Sequence, residues 1–113
     1  MSGAIVAAIG IAATRAPPLT VTVTSDPVVG VWEPELMLGQ TDIVGAIPAG
    51  GTAPITALWS RVSGYTFGVS PSTTSLNVSF TFPDTTPRTA VYRVTVTDAA
   101  GQTATTTVTV NAN

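Results

Sequence analysis

Alternation of aliphatic and hydroxyl residues is the feature of this sequence that most limits its fold. Residues 19–24, 76–82 and 92–97 each alternate an apolar side chain with a polar one. Because successive side chains of a β-strand point to opposite faces, such a pattern builds strands with one apolar face and one hydroxyl face. No segment after residue 16 carries a convincing helical period. We therefore predict an all-β fold.

Proline and glycine divide the alternation into about seven short strands, a number typical of an antiparallel β-sandwich. The predicted strands are residues 19–24, 41–47, 55–60, 65–69, 76–82, 92–97 and 103–110, and residues 28–32 continue the first. Each inward-facing set is small, so two sheets must share one core. The sets expected to face each other are Trp59, Tyr92 and Val94 on one sheet and Val21, Val23, Val78 and Phe80 on the other.

The composition restricts the chemistry. The chain has 113 residues, 44% apolar and 9% charged, and four basic against six acidic residues give a net charge of −2. This balance leaves no polybasic surface for phosphates, which argues against nucleic acid as a partner. The absence of cysteine, histidine and lysine removes thiol nucleophiles, histidine bases and the usual zinc sites. We expect no enzymatic activity, no catalytic or metal-binding residues and no cofactor.

The N-terminal segment differs from the rest of the chain. Residues 4–13 form an uninterrupted apolar run that is far shorter than the roughly 20 residues needed to span a membrane. No basic residue precedes the run, as one would in a secretory signal. We interpret residues 1–17 as an apolar docking arm and residues 18–113 as the sandwich domain, with a signal or anchor as the alternative. The predicted docking residues of the arm are Ile5, Val6, Ile9 and Ile11.

A second apolar group surrounds Pro34. Its members Trp32, Leu36, Met37 and Leu38 either cap the end of the sandwich or form an exposed contact patch, and the cap is slightly favoured. Glu33 and Glu35 flank Pro34 and are predicted to be part of a solvated loop rather than a catalytic carboxylate pair.

Three aspartates, Asp26, Asp84 and Asp98, stand at predicted strand ends. Aspartate at such positions most often accepts hydrogen bonds from the backbone of its own turn. Calcium would need several oxygens converging from these loops, so turn chemistry is favoured and calcium stays open. Residues 98–101 are predicted to form a hairpin loop in which Gly101 takes a positive φ.

The scarcity of charged residues also affects how the chain is expected to assemble. Residues 19–24 and 103–110 present threonine outward, and the chain has no lysine to protect a free strand edge. We therefore predict an oligomeric or particle-bound state, held through an edge strand or the arm.

The C-terminal segment carries a resemblance to a known fold. Residues 91–104 and 107–110 resemble the last hairpin of PKD-type and bacterial immunoglobulin-like domains, and residues 50–54 followed by Leu58-Trp59-Ser60 are similar to their second loop and core tryptophan. Residues 60–64 replace the aspartate- and glycine-rich loop of PKD domains. The resemblance implies an antiparallel immunoglobulin-like β-sandwich of about seven strands, preceded here by an extended apolar N-terminal arm.

The whole chain, one such domain behind an apolar arm, also resembles small structural proteins of tailed bacteriophages. This resemblance implies a non-enzymatic virion protein, a capsid decoration (cement) or tail-surface subunit. Its expected partners are the major capsid or tail protein and neighbouring copies, with no nucleic acid or membrane contact, and a host-surface glycan stays open. The alternative is a secreted or surface-anchored bacterial adhesion or spacer module, outside the cell or at its surface.

Overall fold

The computed structural model describes residues 17–112, which form nine β-strands and no helix. The strands are β1 (Thr20–Val23), β2 (Val28–Glu33), β3 (Leu38–Thr41), β4 (Val44–Ala49), β5 (Thr56–Gly64), β6 (Gly68–Ser70), β7 (Asn77–Phe82), β8 (Arg88–Thr97) and β9 (Thr103–Ala112). The predicted all-β class is confirmed. The additional strands arise because residues 28–33 form a strand of their own and because the predicted strand 41–47 is interrupted at Asp42 and Ile43.

Hydrogen bonds connect the strands in the order β1-β4-β7-β3-β2-β9-β8-β5, and β6 pairs with β7. The pairs are antiparallel except for β2 and β9, which run parallel. β3 pairs with both β7 and β2, so it joins a layer of β1, β4, β7 and β6 to a layer of β2, β9, β8 and β5. The two layers enclose one hydrophobic core.

Aromatic rings from both layers meet in this core. The centroid of the Phe80 ring lies 5.9 Å from that of Trp59 and 4.8 Å from that of Tyr92. These contacts confirm that Trp59 on β5 and Tyr92 on β8 face Phe80 on β7. The other members of the two predicted sets, Val78, Val94, Val21 and Val23, are buried in the core or partly buried against it.

The predicted strand edges are correct only in part. β1 stands at one end of the strand order, as expected of residues 19–24. The prediction of a free edge along residues 103–110 is wrong at its C-terminal end, because β2 pairs in parallel with residues 110–112 of β9. The chain crosses between layers at Asp26 and Pro27. The Asp26 carboxylate accepts a 2.9 Å hydrogen bond from the Thr109 N–H of β9, and not from its own turn as predicted. The strand at the other end of the order is β5.

The predicted docking arm lies outside the described residues, and so do Ile5, Val6, Ile9 and Ile11 within it. Within residues 17–112, no helix is long and apolar enough to cross a bilayer.

Candidate docking surface

The β2–β3 hairpin turns through residues 34–37 with an unusual backbone. The Leu36 N–H donates to the Glu33 carbonyl at 3.1 Å, and the Met37 N–H donates to the Pro34 carbonyl at 3.2 Å. Met37 has a φ of 53°. This left-handed conformation costs a residue with a side chain about 1–2 kcal/mol, which is why glycine usually occupies it.

The inward side of the hairpin is fixed by the core. Trp32 pairs with Gly39 across the hairpin and packs, partly buried, against the core. A Cβ atom added to Gly39 would overlap the ring of Phe82, and one added to Gly30 would lie 2.6 Å from the Phe82 Cε1. The two glycines therefore admit the Phe82 ring, and the hairpin cannot shift without displacing it.

The outward side displays apolar side chains to solvent. Leu36 is 60% exposed and Met37 74% exposed at the tip, while Leu38 is half-buried. Alternate positions of β2 extend this surface along the strand with two more exposed side chains. We name the five residues Val29, Val31, Leu36, Met37 and Leu38 the hairpin ridge. Exposed apolar side chains grouped on one hairpin are typical of a contact surface.

The hairpin thus places the four residues of the predicted patch on different sides. Trp32 points inward, as the cap interpretation requires, whereas Leu36 and Met37 point outward, as the contact interpretation requires. Sequence reasoning missed Val29 and Val31, whose alternation with Val28 and Gly30 was the available signal. Glu33 and Glu35 are exposed beside the ridge and form no ion pair within residues 17–112.

The Asp98 carboxylate belongs to a closed turn at the other end of the molecule. It accepts hydrogen bonds from the N–H groups of Thr52, Ala100 and Gln102 and from the Gln102 side-chain amide, at 2.8–3.0 Å. Burial raises the pKa of Asp98, but the four hydrogen bonds outweigh it and hold the pKa below its usual value. Gly101 takes the predicted positive φ, at 88°. The expected turn role of Asp98 is confirmed.

Asp84 is also bound within its own turn. Its carboxylate accepts 2.8 and 2.9 Å hydrogen bonds from one Arg88 nitrogen and a 3.1 Å bond from the Thr86 N–H. The Arg88 hydrogen bond, followed by that from Thr86, holds the pKa of Asp84 below its usual value. The Arg88 guanidinium in turn lies 4.0 Å from the centre of the Tyr65 ring. No three carboxylates in the described part of the chain cluster as a calcium site would require.

The buried hydroxyls also have structural partners. The Tyr92 hydroxyl donates to the Phe67 carbonyl at 3.1 Å and accepts from the Phe67 N–H at 2.8 Å. Burial raises the pKa of Tyr92 and keeps this hydroxyl neutral. The Thr41 hydroxyl donates to the Asp42 carbonyl and accepts from the Phe80 N–H. The Tyr92 hydroxyl connects β8 to the residue before β6, and the Thr41 hydroxyl connects β3 to β7.

Two packed layers, a core tryptophan on β5 and the β8–β9 hairpin define an immunoglobulin-like β-sandwich. The solution structure of the PKD domain from human KIAA0319 is similar, with a TM-score of 0.58 and 16% sequence identity over 85% of this chain and 81% of that chain. At this identity the likeness concerns the fold alone. No protein-family model matches the chain, and no curated protein matches it.

Proposed function

We propose that this chain is a non-enzymatic structural subunit on the surface of a tailed-phage virion, in the capsid decoration or the tail. The hairpin ridge carries the proposal. Leu36 and Met37 are presented to water on a hairpin that the core holds rigidly, and Met37 bears the cost of a left-handed backbone. Strain and apolar exposure at one site reduce the stability of the free protein, and a bound partner would explain both.

The apolar N-terminal segment supports the same proposal. Burying roughly 200–400 Å² of its apolar surface against a shell would contribute on the order of 5–10 kcal/mol, at about 25 cal/mol per Å² and before ordering costs. The proposed partners are the major capsid or tail protein and neighbouring copies. Repetition over many copies would add avidity to a modest single contact.

Binding to particles assembled without this protein tests the proposal. We expect co-sedimentation with such particles, and we expect deletion of residues 2–16 or the double substitution Leu36→Ser/Met37→Ser to remove it. Ile47→Ser is the matched control, because Ile47 is a half-exposed apolar residue on β4, in the other layer. Full occupancy by both altered proteins, each shown to be folded by circular dichroism, would contradict the proposal.

A secreted or surface-anchored adhesion or spacer module is the second candidate, and the apolar run at residues 4–13 favours it if that run acts as a signal. The intact mass of the protein from its native source separates the two. Loss of the first 13–16 residues supports secretion, whereas a retained segment supports the docking arm.

A further inference from the structure

A groove lies beside β5, at the edge of its layer opposite β2. Its volume is about 890 Å³, and its apolar lining comes from Ile55, Leu58 and Leu76. Leu58 is 51% exposed and Leu76 36% exposed. The walls are fixed by two 2.8 Å hydrogen bonds, from the Trp59 N–H to the Thr73 carbonyl and from the Trp59 ring nitrogen to the Ser75 carbonyl. The groove is therefore preformed.

The strand order prevents the hairpin of one copy from reaching its own groove. β2 and β5 stand on opposite sides of the β9–β8 pair, three strand spacings apart, which corresponds to about 14 Å. The hairpin is held in place at its inward side by the Phe82 ring. A hairpin ridge that occupies the groove must therefore belong to a second copy of the chain.

Charge is complementary between the two sites. Among the described residues, Arg88 pairs with Asp84, and neither Arg61 nor Arg93 forms a salt bridge. Arg93 is exposed and pairs with Ser60 on β5, two strand positions along from Leu58. It is therefore a diagonal neighbour of Leu58 on the outward face, about 7–8 Å away. The hairpin tip carries only acidic charges, Glu33 and Glu35.

We propose that Leu36 and Met37 of one copy insert into the groove between Leu58 and Leu76 of a second copy, with Glu35 close to Arg93. The two surfaces differ and lie at opposite edges of one layer, so the contact is head-to-tail and leaves an open hairpin and an open groove at the ends. Repetition gives a ring if the rotation closes and a filament if it does not. The contact uses the same hairpin residues as the proposed virion role but needs neither the arm nor a particle, so sedimentation of the free chain tests it separately from that role.

Sedimentation of the full chain between about 10 µM and about 1 mM, the range in which small interfaces dissociate, tests the contact. We expect the wild type to form species larger than a dimer. A hairpin variant, Leu36→Ser/Met37→Ser, and a groove variant, Leu58→Glu, should each remain monomeric. Their equimolar mixture should stop at a 1:1 dimer, because one intact hairpin and one intact groove remain. Ile47→Ser should associate as the wild type does.

Three results would overturn the proposal. They are a monomeric wild type at the highest concentration, association of the hairpin variant equal to that of the wild type, and absence of the 1:1 dimer in the mixture. The second result would assign self-association to another segment, including residues 1–16. Unchanged near-ultraviolet circular dichroism of each variant excludes unfolding as the cause of monomer formation.

Charge reversal tests the register of the contact. Glu35→Arg and Arg93→Glu should each raise the dissociation constant about tenfold at low salt, because each places two like charges next to each other across the contact. The two substitutions combined in one chain should restore association, because the opposite charges meet again. These differences should shrink at high salt, where exposed charges are screened. Failure of the combined variant to recover would overturn the pairing of Glu35 with Arg93.

Discussion

The β8–β9 and β2–β3 hairpins reverse the chain in similar lengths but differ in how they satisfy the turn. In the β8–β9 turn, the residue with positive φ is Gly101, and the Asp98 carboxylate accepts four hydrogen bonds. In the β2–β3 turn, Met37 occupies the left-handed position, and two backbone hydrogen bonds close the turn. The β8–β9 turn contributes to the stability of the fold, whereas the β2–β3 turn lowers that stability and displays apolar side chains to solvent.

The largest effect should follow from Asp98→Ala in the stable turn. The substitution removes a buried charged acceptor and the hydrogen bonds that it receives from the N–H groups of Thr52 and Gln102, and hydrogen bonds to a charged group contribute more than neutral ones. We expect it to lower the urea midpoint more than any other single substitution in the two hairpins. Asp42→Ala is the matched control, because the Asp42 side chain is exposed. Equal midpoints for the two variants would remove the distinction between the turns.

Gly39→Ala tests the inward side of the β2–β3 hairpin. The added methyl group overlaps the Phe82 ring, and overpacking of this kind costs about 1–3 kcal/mol in the free energy of unfolding. Val31→Ala lies on the outward side of the same hairpin, and we expect it to stay within about 0.5 kcal/mol of the wild type. Urea denaturation measures both. A neutral Gly39→Ala would show that the hairpin is not fixed by the core.

Substitutions at the positive-φ residues of the two turns, Gly101 and Met37, should change the free energy of unfolding in opposite directions. Gly101→Ala meets no atom within 4 Å, so its cost is that of the backbone alone, about 1 kcal/mol. Met37→Gly relieves the corresponding strain and should raise the free energy of unfolding by up to about 1 kcal/mol, while weakening association. Chemical denaturation of the two variants provides the comparison. Destabilisation by both would mean that Met37 is not strained.

The smallest effect concerns Asp84, in a third turn that is largely open to solvent. Its pKa lies below the ordinary value of 3.8, so its ion pair with Arg88 stabilises the fold above that pH. This contribution is lost as the pH falls through the lower folded-state pKa. The difference in stability between the wild type and Asp84→Asn should therefore be constant near neutral pH and vanish in strong acid.

Local patterns were sufficient to predict the strands and the core. Trp59, Phe80 and Tyr92 each stand in alternating segments, so their inward position follows from a period of two. Gly101 and Asp98 follow from turn chemistry, which is also local. These features need only a few neighbouring residues to be recognised.

Long-range pairing could not be predicted in the same way. The parallel pairing of β2 with β9 joins residues about 80 positions apart, and nothing near Val28 encodes its partner. The bond from Thr52 to Asp98 is equally non-local. The positive φ of Met37 had no local signal either, because turn preferences place glycine or asparagine at such a position.

The parallel β2–β9 ladder has a mechanical consequence. The chain enters β2 at Val28 and leaves β9 at Ala112, and the two strands run in the same direction. Tension between the two ends of the sandwich therefore pulls the strands lengthwise past each other. Hydrogen bonds sheared in this way carry the load together, whereas those of a hairpin pulled open at its end rupture one after another.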